Sequence, residues 1–68
     1  MITNNPNSTA IHQVDYDPAT RDMTVTMAHG VQYTYPNTTS EQHNAFVSAD
    51  SVGRHFANVV SKRHHVKG

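Results

Sequence analysis

Four basic side chains in the last third of the chain have the chemistry to contact phosphate groups: Arg54, Lys62, Arg63 and Lys67. Ser51 and Gly53 come just before Arg54, where a helix is expected to begin, and the free N–H groups of a helix N-terminus bind anions. The sequence therefore predicts an anion site at Ser51, Gly53 and Arg54, extended by the other three cations. The alternative is that Arg54 pairs with Asp50 on a solvated helix face.

The three tyrosines are a second group with binding chemistry, because aromatic rings stack on the bases of single-stranded RNA. Tyr33 and Tyr35 alternate with Gln32 and Thr34, so both rings leave the same face of a strand. If that face meets the helices, both rings belong to the core and only their hydroxyl groups reach a partner or the rim. Tyr16 is expected nearer the rim and more accessible to a ligand.

The histidines do not form a pattern of metal ligands. They are dispersed over different elements, at His12, His29, His43, His55 and the adjacent pair His64-His65. The chain also has no cysteine nucleophile, no Gly-x-Ser-x-Gly motif and no phosphate-binding loop. We therefore expect a binding module with no metal, no cofactor and no enzyme activity.

The size and charge of the chain narrow the classes of partner. Its 68 residues allow one domain, and a homodimer is one way for so small a core to gain support. Residues 1–49 carry four carboxylates and one arginine, a net charge of −3, whereas residues 50–68 carry four cations and one carboxylate, a net charge of +3. The basic segment suits a polyanion, but the formal net charge of zero is low for a nucleic-acid module.

The first half of the chain has the period-2 pattern of β-strands. Two segments alternate strictly, Met23-x-Val25-x-Met27 and Val31-x-Tyr33-x-Tyr35, with a hairpin at Ala28-His29-Gly30 between them. Upstream, the apolar parity changes near His12-Gln13, which predicts a β-bulge. Asp17-Pro18-Ala19-Thr20 is typical of a type I turn. Together these segments predict a three-stranded antiparallel meander.

The second half changes to the helical period. Thr38-Thr39-Ser40-Glu41 predicts a capping box at a helix start, followed by a helical stripe of Gln42, Ala45, Phe46 and Ala49. Asp50-Ser51 predicts a second cap, followed by the stripe of Val52, His55, Phe56, Val59 and Val60. The predicted fold class is therefore α+β, in the order β-β-β-α-α, with two short helices packed on one face of the sheet.

The two ends of the chain lack any periodicity. We expect residues 1–8 to be a flexible lead, residues 9–64 to form the single domain, and residues 65–68 to be a loose tail. No apolar run is long enough to span a bilayer, and no signal peptide is recognisable. Together with the absence of cysteine, these features predict a cytoplasmic protein.

Three segments of the chain form a family pattern. They are Val14-x-Tyr16-Asp17-Pro18-Ala19-Thr20, Tyr33-Thr34-Tyr35 and Ala49-Asp50-Ser51-x-Gly53-Arg54-x-Phe56. In this order and spacing they resemble the KTSC domain family, over roughly residues 8–64. That family is found at the C-terminus of some lysyl-tRNA synthetases and as small stand-alone proteins in bacteria and phages, and the resemblance implies a role in RNA binding.

The chain departs from the pattern of that family at three places. Asn37-Thr38-Thr39 stands where members often have proline and an apolar residue, and His55-Phe56 stands where an aromatic pair is often seen. His64-His65 replaces a site that is commonly aromatic. These changes bear on any ligand site that relies on the second helix.

Three functions are compatible with these observations. The first is RNA binding through the basic second helix and tail, which the family association favours. The second is protein binding, for example by a phage-encoded inhibitor of a host defence or CRISPR protein, with Asp15, Asp17 and Asp22 facing a basic partner. The third is an oligomer that sequesters a small nucleotide at subunit interfaces through Arg54 and a tyrosine.

Overall fold

The structure, a computed structural model, describes residues 1–67. Its elements in chain order are β1 (Ile2–Asn4), β2 (Ile11–Asp17), β3 (Asp22–Met27), β4 (Gln32–Tyr35), α1 (Ser40–Val47), α2 (Val52–Asn58), a 3₁₀ turn (Val60–Lys62) and β5 (Val66–Lys67). The predicted α+β class and the two helices are confirmed. Neither helix in this part of the chain has the length and apolar character needed to cross a membrane.

The expected number of strands is wrong, because the antiparallel sheet has five strands in the order β1-β2-β3-β4-β5. Residues 2–4, expected within a flexible lead, pair with β2 so that Ile2 lies opposite Tyr16. Residues 66–67, expected within a loose tail, pair with β4 so that Lys67 lies opposite Tyr33. Strands this short carry no periodicity of their own. They are stabilised because each pairs with the backbone groups of a longer neighbour.

The connections of the central meander follow from local signals. The predicted bulge is present as a register shift between Ile11 and Gln13. Gly30 has a φ of 96°, and its N–H donates to the carbonyl of Met27 at 2.9 Å, which closes the predicted hairpin. The turn after β2 is wider than a type I turn. The N–H of Arg21, at a φ of 64°, donates to the carbonyl of Asp17 at 2.7 Å.

Both helices begin at a side-chain cap, but the capping box of α1 lies one residue later than the predicted Thr38–Glu41 box. Thr39 Oγ1 accepts a hydrogen bond from the N–H of Gln42 at 3.1 Å, and Gln42 Oε1 accepts one from the N–H of Thr39 at 2.9 Å. This reciprocal pair is a capping box. Ser51 Oγ accepts a hydrogen bond from the N–H of Arg54 at 3.3 Å, which caps α2.

The buried faces of the helices differ from the expected stripes. In α1 the buried residues are His43 and Phe46, whereas Gln42 and Ala45 are exposed. Gln42 stays outside the core because its side chain closes the capping box. Val59 is 50% exposed, because α2 ends at Asn58 and the 3₁₀ turn rotates the next residues.

A single core lies between the helices and one face of the sheet. Two polar residues are buried in this layer, and both are satisfied. Thr38 Oγ1 donates to the carbonyl of Tyr35 at 2.8 Å. His43 stacks on Tyr16 with ring centroids 4.7 Å apart, and its Nε2 accepts from the amide of Asn4 at 3.3 Å. The apolar core residues are Ile11, Val14, Tyr16, Met23, Val25, Tyr35, Phe46, Val52 and Val60.

The opposite face of the sheet is polar and turns away from the core. One row of residues crosses all five strands: Thr3, Asp15, Thr24, Thr34 and Val66. Hydrogen bonds join its members, since Thr3 Oγ1 donates to Asp15 at 2.7 Å and the hydroxyl groups of Thr24 and Thr34 are 3.3 Å apart. This pattern is that of a two-layer domain with one solvated sheet face.

Candidate functional site

A cleft of about 220 Å³ opens beside the β3–β4 hairpin, at the margin of the core. Most of the side chains that line it carry an aromatic or imidazole ring, and such walls suit a flat aromatic ligand. The lining residues are Met27, His29, Tyr33, Tyr35, Phe56, Ser61 and His65. We call this site the aromatic cleft.

Three parts of the fold bring the rings of the aromatic cleft together. Tyr33 and Tyr35 come from β4, where alternate residues share a face. Phe56, from α2, meets the Tyr35 ring edge-on at a centroid distance of 6.2 Å. His65, just before β5, lies 5.3 Å from the Tyr33 ring and 5.0 Å from the Tyr35 ring. The pairing of β5 with β4 therefore positions the wall formed by His65.

The two tyrosines of β4 have different roles. Tyr35 is 1% exposed and belongs to the core. Burial raises the pKa of its hydroxyl above the ordinary 10.0, with a smaller contribution from Tyr33 in the same direction and an opposing one from Arg63. Tyr33 is half-buried and packs on the margin of the core. Tyr33 is therefore the ring that a ligand can stack on, while Tyr35 contributes to the cleft from the core.

Two cations neighbour residues that line the aromatic cleft, one by strand pairing and one in sequence. Lys67 is the register partner of Tyr33, and residues directly opposite in antiparallel strands project from the same face of the sheet. Lys62 follows Ser61, whose side chain lines the cleft. Both lysines are exposed, so they add positive charge beside the rings without being used inside the fold.

Tyr16, predicted as an accessible ligand residue, is in the core. It is 2% exposed, and its hydroxyl donates to the carbonyl of Thr38 at 2.6 Å. The reason is its register, because Tyr16 lies opposite Met23 on the core-facing side of the sheet. A ring packed in this way cannot stack on a ligand.

Arg63, predicted as part of a basic patch, holds the loop between β4 and α1. Its Nη1 donates to Thr38 Oγ1 at 3.0 Å. Its Nη2 donates to the carbonyls of Pro36 and Asn37, each at 3.2 Å. Because these bonds occupy both terminal nitrogens, Arg63 acts inside the fold.

The predicted anion site at the start of α2 is separate from the aromatic cleft. Arg54 and Ser51 line another open cavity, of about 270 Å³, which shares no residue with the cleft. A Cβ atom on Gly53 would lie 3.3 Å from Ser8 Oγ, so Gly53 allows α2 to pack closely against the segment before β2. Of the predicted site residues, the structure brings Tyr33, Tyr35 and Lys67 together and leaves Arg54 apart.

Sequence reasoning missed five of the residues that line the aromatic cleft: Met27, His29, Phe56, Ser61 and His65. Phe56 was expected only as a core residue of the second helix. The available signal was the pair His64-His65, which replaces a site that is commonly aromatic in the family the chain resembles. A ring at that position and the two tyrosines of β4 now prove to be neighbours.

Comparison with known proteins agrees with this fold. The sequence profile of the KTSC domain family matches residues 7–64 of the chain. The chain belongs to the KTSC domain family. An uncharacterized protein of Stutzerimonas stutzeri (strain A1501) is 33% identical over 58 residues, which cover 85% of this chain and 82% of that relative.

A solved structure extends the comparison to three dimensions. The crystal structure of a KTSC domain protein from Yersinia pestis superposes on this KTSC domain with a TM-score of 0.85 at 29% sequence identity. The match covers 98% of this chain and 96% of the other, so it reaches beyond the central meander to the two short outer strands.

Proposed function

We propose that this KTSC domain binds single-stranded nucleic acid, with one base in the aromatic cleft and the adjoining phosphates beside Lys62 and Lys67. The observation that carries the proposal is the half-buried Tyr33 ring, held in an open cleft whose other lining residues are mostly rings. Stacking of a base on an aromatic side chain contributes about 1–3 kcal/mol and tolerates any base, because every base has a π-face.

The charge distribution supports a weak interaction whose affinity depends only modestly on salt. Two exposed lysines lie next to the cleft, whereas Arg63 is occupied inside the fold. Few phosphate contacts give a shallow dependence of affinity on salt, and sequence-independent binding of this kind has a Kd of roughly 10⁻⁴ to 10⁻⁶ M at physiological salt. The zero net charge of the chain agrees with a module that relies on stacking more than on charge.

The experiment is fluorescence anisotropy of labelled RNA and DNA strands of about ten nucleotides, at about 50 and 200 mM salt. We expect saturable binding that weakens at the higher salt. Tyr33→Leu keeps an apolar side chain against the core but removes the ring. The loss of one stacked base should raise Kd about 5- to 150-fold.

A matched pair of charge variants tests the position of the site. Lys67→Ala should weaken binding and reduce the salt dependence, because Lys67 lies opposite Tyr33. Arg54→Ala removes the same charge from another cavity and should leave Kd within about twofold. Equal effects of the two variants would contradict the placement of the strand in the aromatic cleft.

Absence of binding to either kind of strand at low salt would overturn the proposed function. The protein-binding alternative would then come first. Asp15, Asp17 and Asp22, which were expected to face a basic protein, occupy register positions on the polar face of the sheet. The next step would be affinity capture of partners on that face.

A further inference from the structure

We propose that the aromatic cleft selects bases with an exocyclic amino group, such as cytosine and adenine, over uracil. This inference rests on the proposed function and adds the class of base to it. It comes from the hydrogen bonds that three polar residues of the cleft already make within the protein. Those bonds decide what each side chain can still offer to a ligand.

The first of these residues, His65, offers an acceptor. Its Nδ1 lies 2.9 Å from the carbonyl of Arg63. A carbonyl oxygen can only accept, so Nδ1 carries the proton and donates it. In the neutral ring, Nε2 then has a lone pair and no hydrogen. Within residues 1–67 no other hydrogen bond of this ring is present, so Nε2 is the atom left for a ligand donor.

Ser61 offers a second acceptor. Its hydroxyl donates to the carbonyl of Ala57 at 2.8 Å, one helical turn earlier. A hydroxyl has a single hydrogen, so what Ser61 Oγ presents to the cleft is its lone pairs. Ser61 and His65 line the same cleft, so a ligand that satisfies both acceptors must supply two N–H donors.

His29 offers the complementary group. Its Nδ1 accepts a hydrogen bond from the N–H of Val31 at 3.4 Å. In the neutral ring the proton is then on Nε2, which is a donor. The tyrosine hydroxyl groups can either donate or accept, so they do not discriminate between bases. The cleft therefore offers two acceptors and one donor that are set by the fold.

Cytosine, adenine and uracil differ in how well they match this set. The amino group of cytosine or adenine has two N–H donors, and it adjoins a ring nitrogen that accepts. Uracil has one N–H donor between two carbonyl acceptors, so at least one of Ser61 Oγ and His65 Nε2 loses its partner. A desolvated acceptor without a donor reduces affinity by about tenfold. Cytosine and uracil are similar in size and stacking area, so they isolate this effect.

The test compares oligo(C) with oligo(U) by anisotropy at pH 7.5 and low salt. We expect oligo(C) to bind about tenfold more tightly than oligo(U). Oligo(A) against oligo(I) repeats the comparison for purines, because hypoxanthine replaces the amino group of adenine by a carbonyl oxygen. Equal affinities, or a preference for oligo(U), would overturn this inference and leave the proposed function standing. No binding of any strand would overturn both.

Variants separate selection from general binding. His65→Ala should weaken all strands and also reduce the ratio of oligo(C) to oligo(U) affinity towards one. Ser61→Ala keeps every ring and should reduce that ratio about threefold. This variant provides the test if the His65 variant folds poorly. An unchanged ratio in both folded variants would contradict the assignment. Displacement of labelled oligo(C) by CMP or UMP distinguishes a free nucleotide from a strand as the ligand. If CMP competes as well as unlabelled oligo(C), the cleft binds a free nucleotide with the same preference for an amino group.

Discussion

The hydroxyl of Tyr16 gives the sharpest test of the packing, through the substitution Tyr16→Phe. The side chain is 2% exposed, and its hydroxyl donates to the carbonyl of Thr38, a residue with no exposed surface. The change removes one oxygen and no carbon, so it creates almost no cavity. The substitution leaves the buried carbonyl of Thr38 without the hydrogen bond from the Tyr16 hydroxyl.

The expected cost follows from that orphaned acceptor. An unsatisfied buried polar group costs about 1–3 kcal/mol, so we expect the free energy of unfolding to fall by about 2 kcal/mol. A domain of this length has a total stability of roughly 3–10 kcal/mol. For domains of 60–100 residues, 1 kcal/mol corresponds to about 4–8 °C, so the melting temperature should fall by about 8–16 °C.

The assay is thermal and urea unfolding followed by circular dichroism, with Tyr33→Phe as the matched control. The Tyr33 hydroxyl makes no hydrogen bond within residues 1–67, and its ring is half-buried. Its removal should change stability by less than about 0.5 kcal/mol. If Tyr16→Phe melted within two degrees or so of this control, the claim that the Tyr16 hydroxyl stabilises the loop at Thr38 would be refuted.

Three further predictions concern other parts of the fold. Arg63→Ala should lower the free energy of unfolding by about 1–2 kcal/mol in urea, because three hydrogen bonds to the β4–α1 loop are lost. Lys62→Ala, at the neighbouring exposed position, is the control and should have almost no effect. Phe46→Ala, at a residue with no exposed surface, should lower the free energy of unfolding by about 3–5 kcal/mol, a large part of the total, and lower the urea midpoint accordingly. Burial lowers the pKa of His43 below 6.5, so the unfolded chain takes up a proton at this residue more readily than the folded domain. The free energy of unfolding should therefore be highest above pH 6.5 and fall as the pH drops through the lowered pKa. His43→Phe should reduce that loss, measured by urea unfolding between about pH 7.5 and 5.

Local sequence signals were enough to predict the central meander, the cap of α2 and, to within one residue, the cap of α1. The alternation of Met23, Val25 and Met27 and the capping residues Thr39 and Ser51 act over a few residues, so their structure can be read from their immediate neighbours. The outer strands could not be predicted in this way. They contain two or three residues each, and they form only where a longer strand offers its edge.

The candidate site was predicted only in part, for the same reason. Tyr33 and Tyr35 were recognised from their alternation, but alternation does not say which ring lies at the margin of the core. That depends on His65, which is brought to β4 by the short strand β5. Arg63 was read as a ligand residue because the carbonyls it binds are about 26 residues away in sequence. No local pattern reports such a contact.

The strand order has a consequence for how the domain opens. β2, β3 and β4 are joined by short hairpins, so their pairing closes small loops and is expected to form early in folding. β5 follows both helices in the chain, so its pairing with β4 closes a much longer loop, and it contributes two residues at the edge of the sheet. We expect it to detach and return without unfolding of the rest. Hydrogen exchange at β5 would then be fast in the free domain and slowed by a bound base, because the segment that detaches carries the His65 wall of the aromatic cleft.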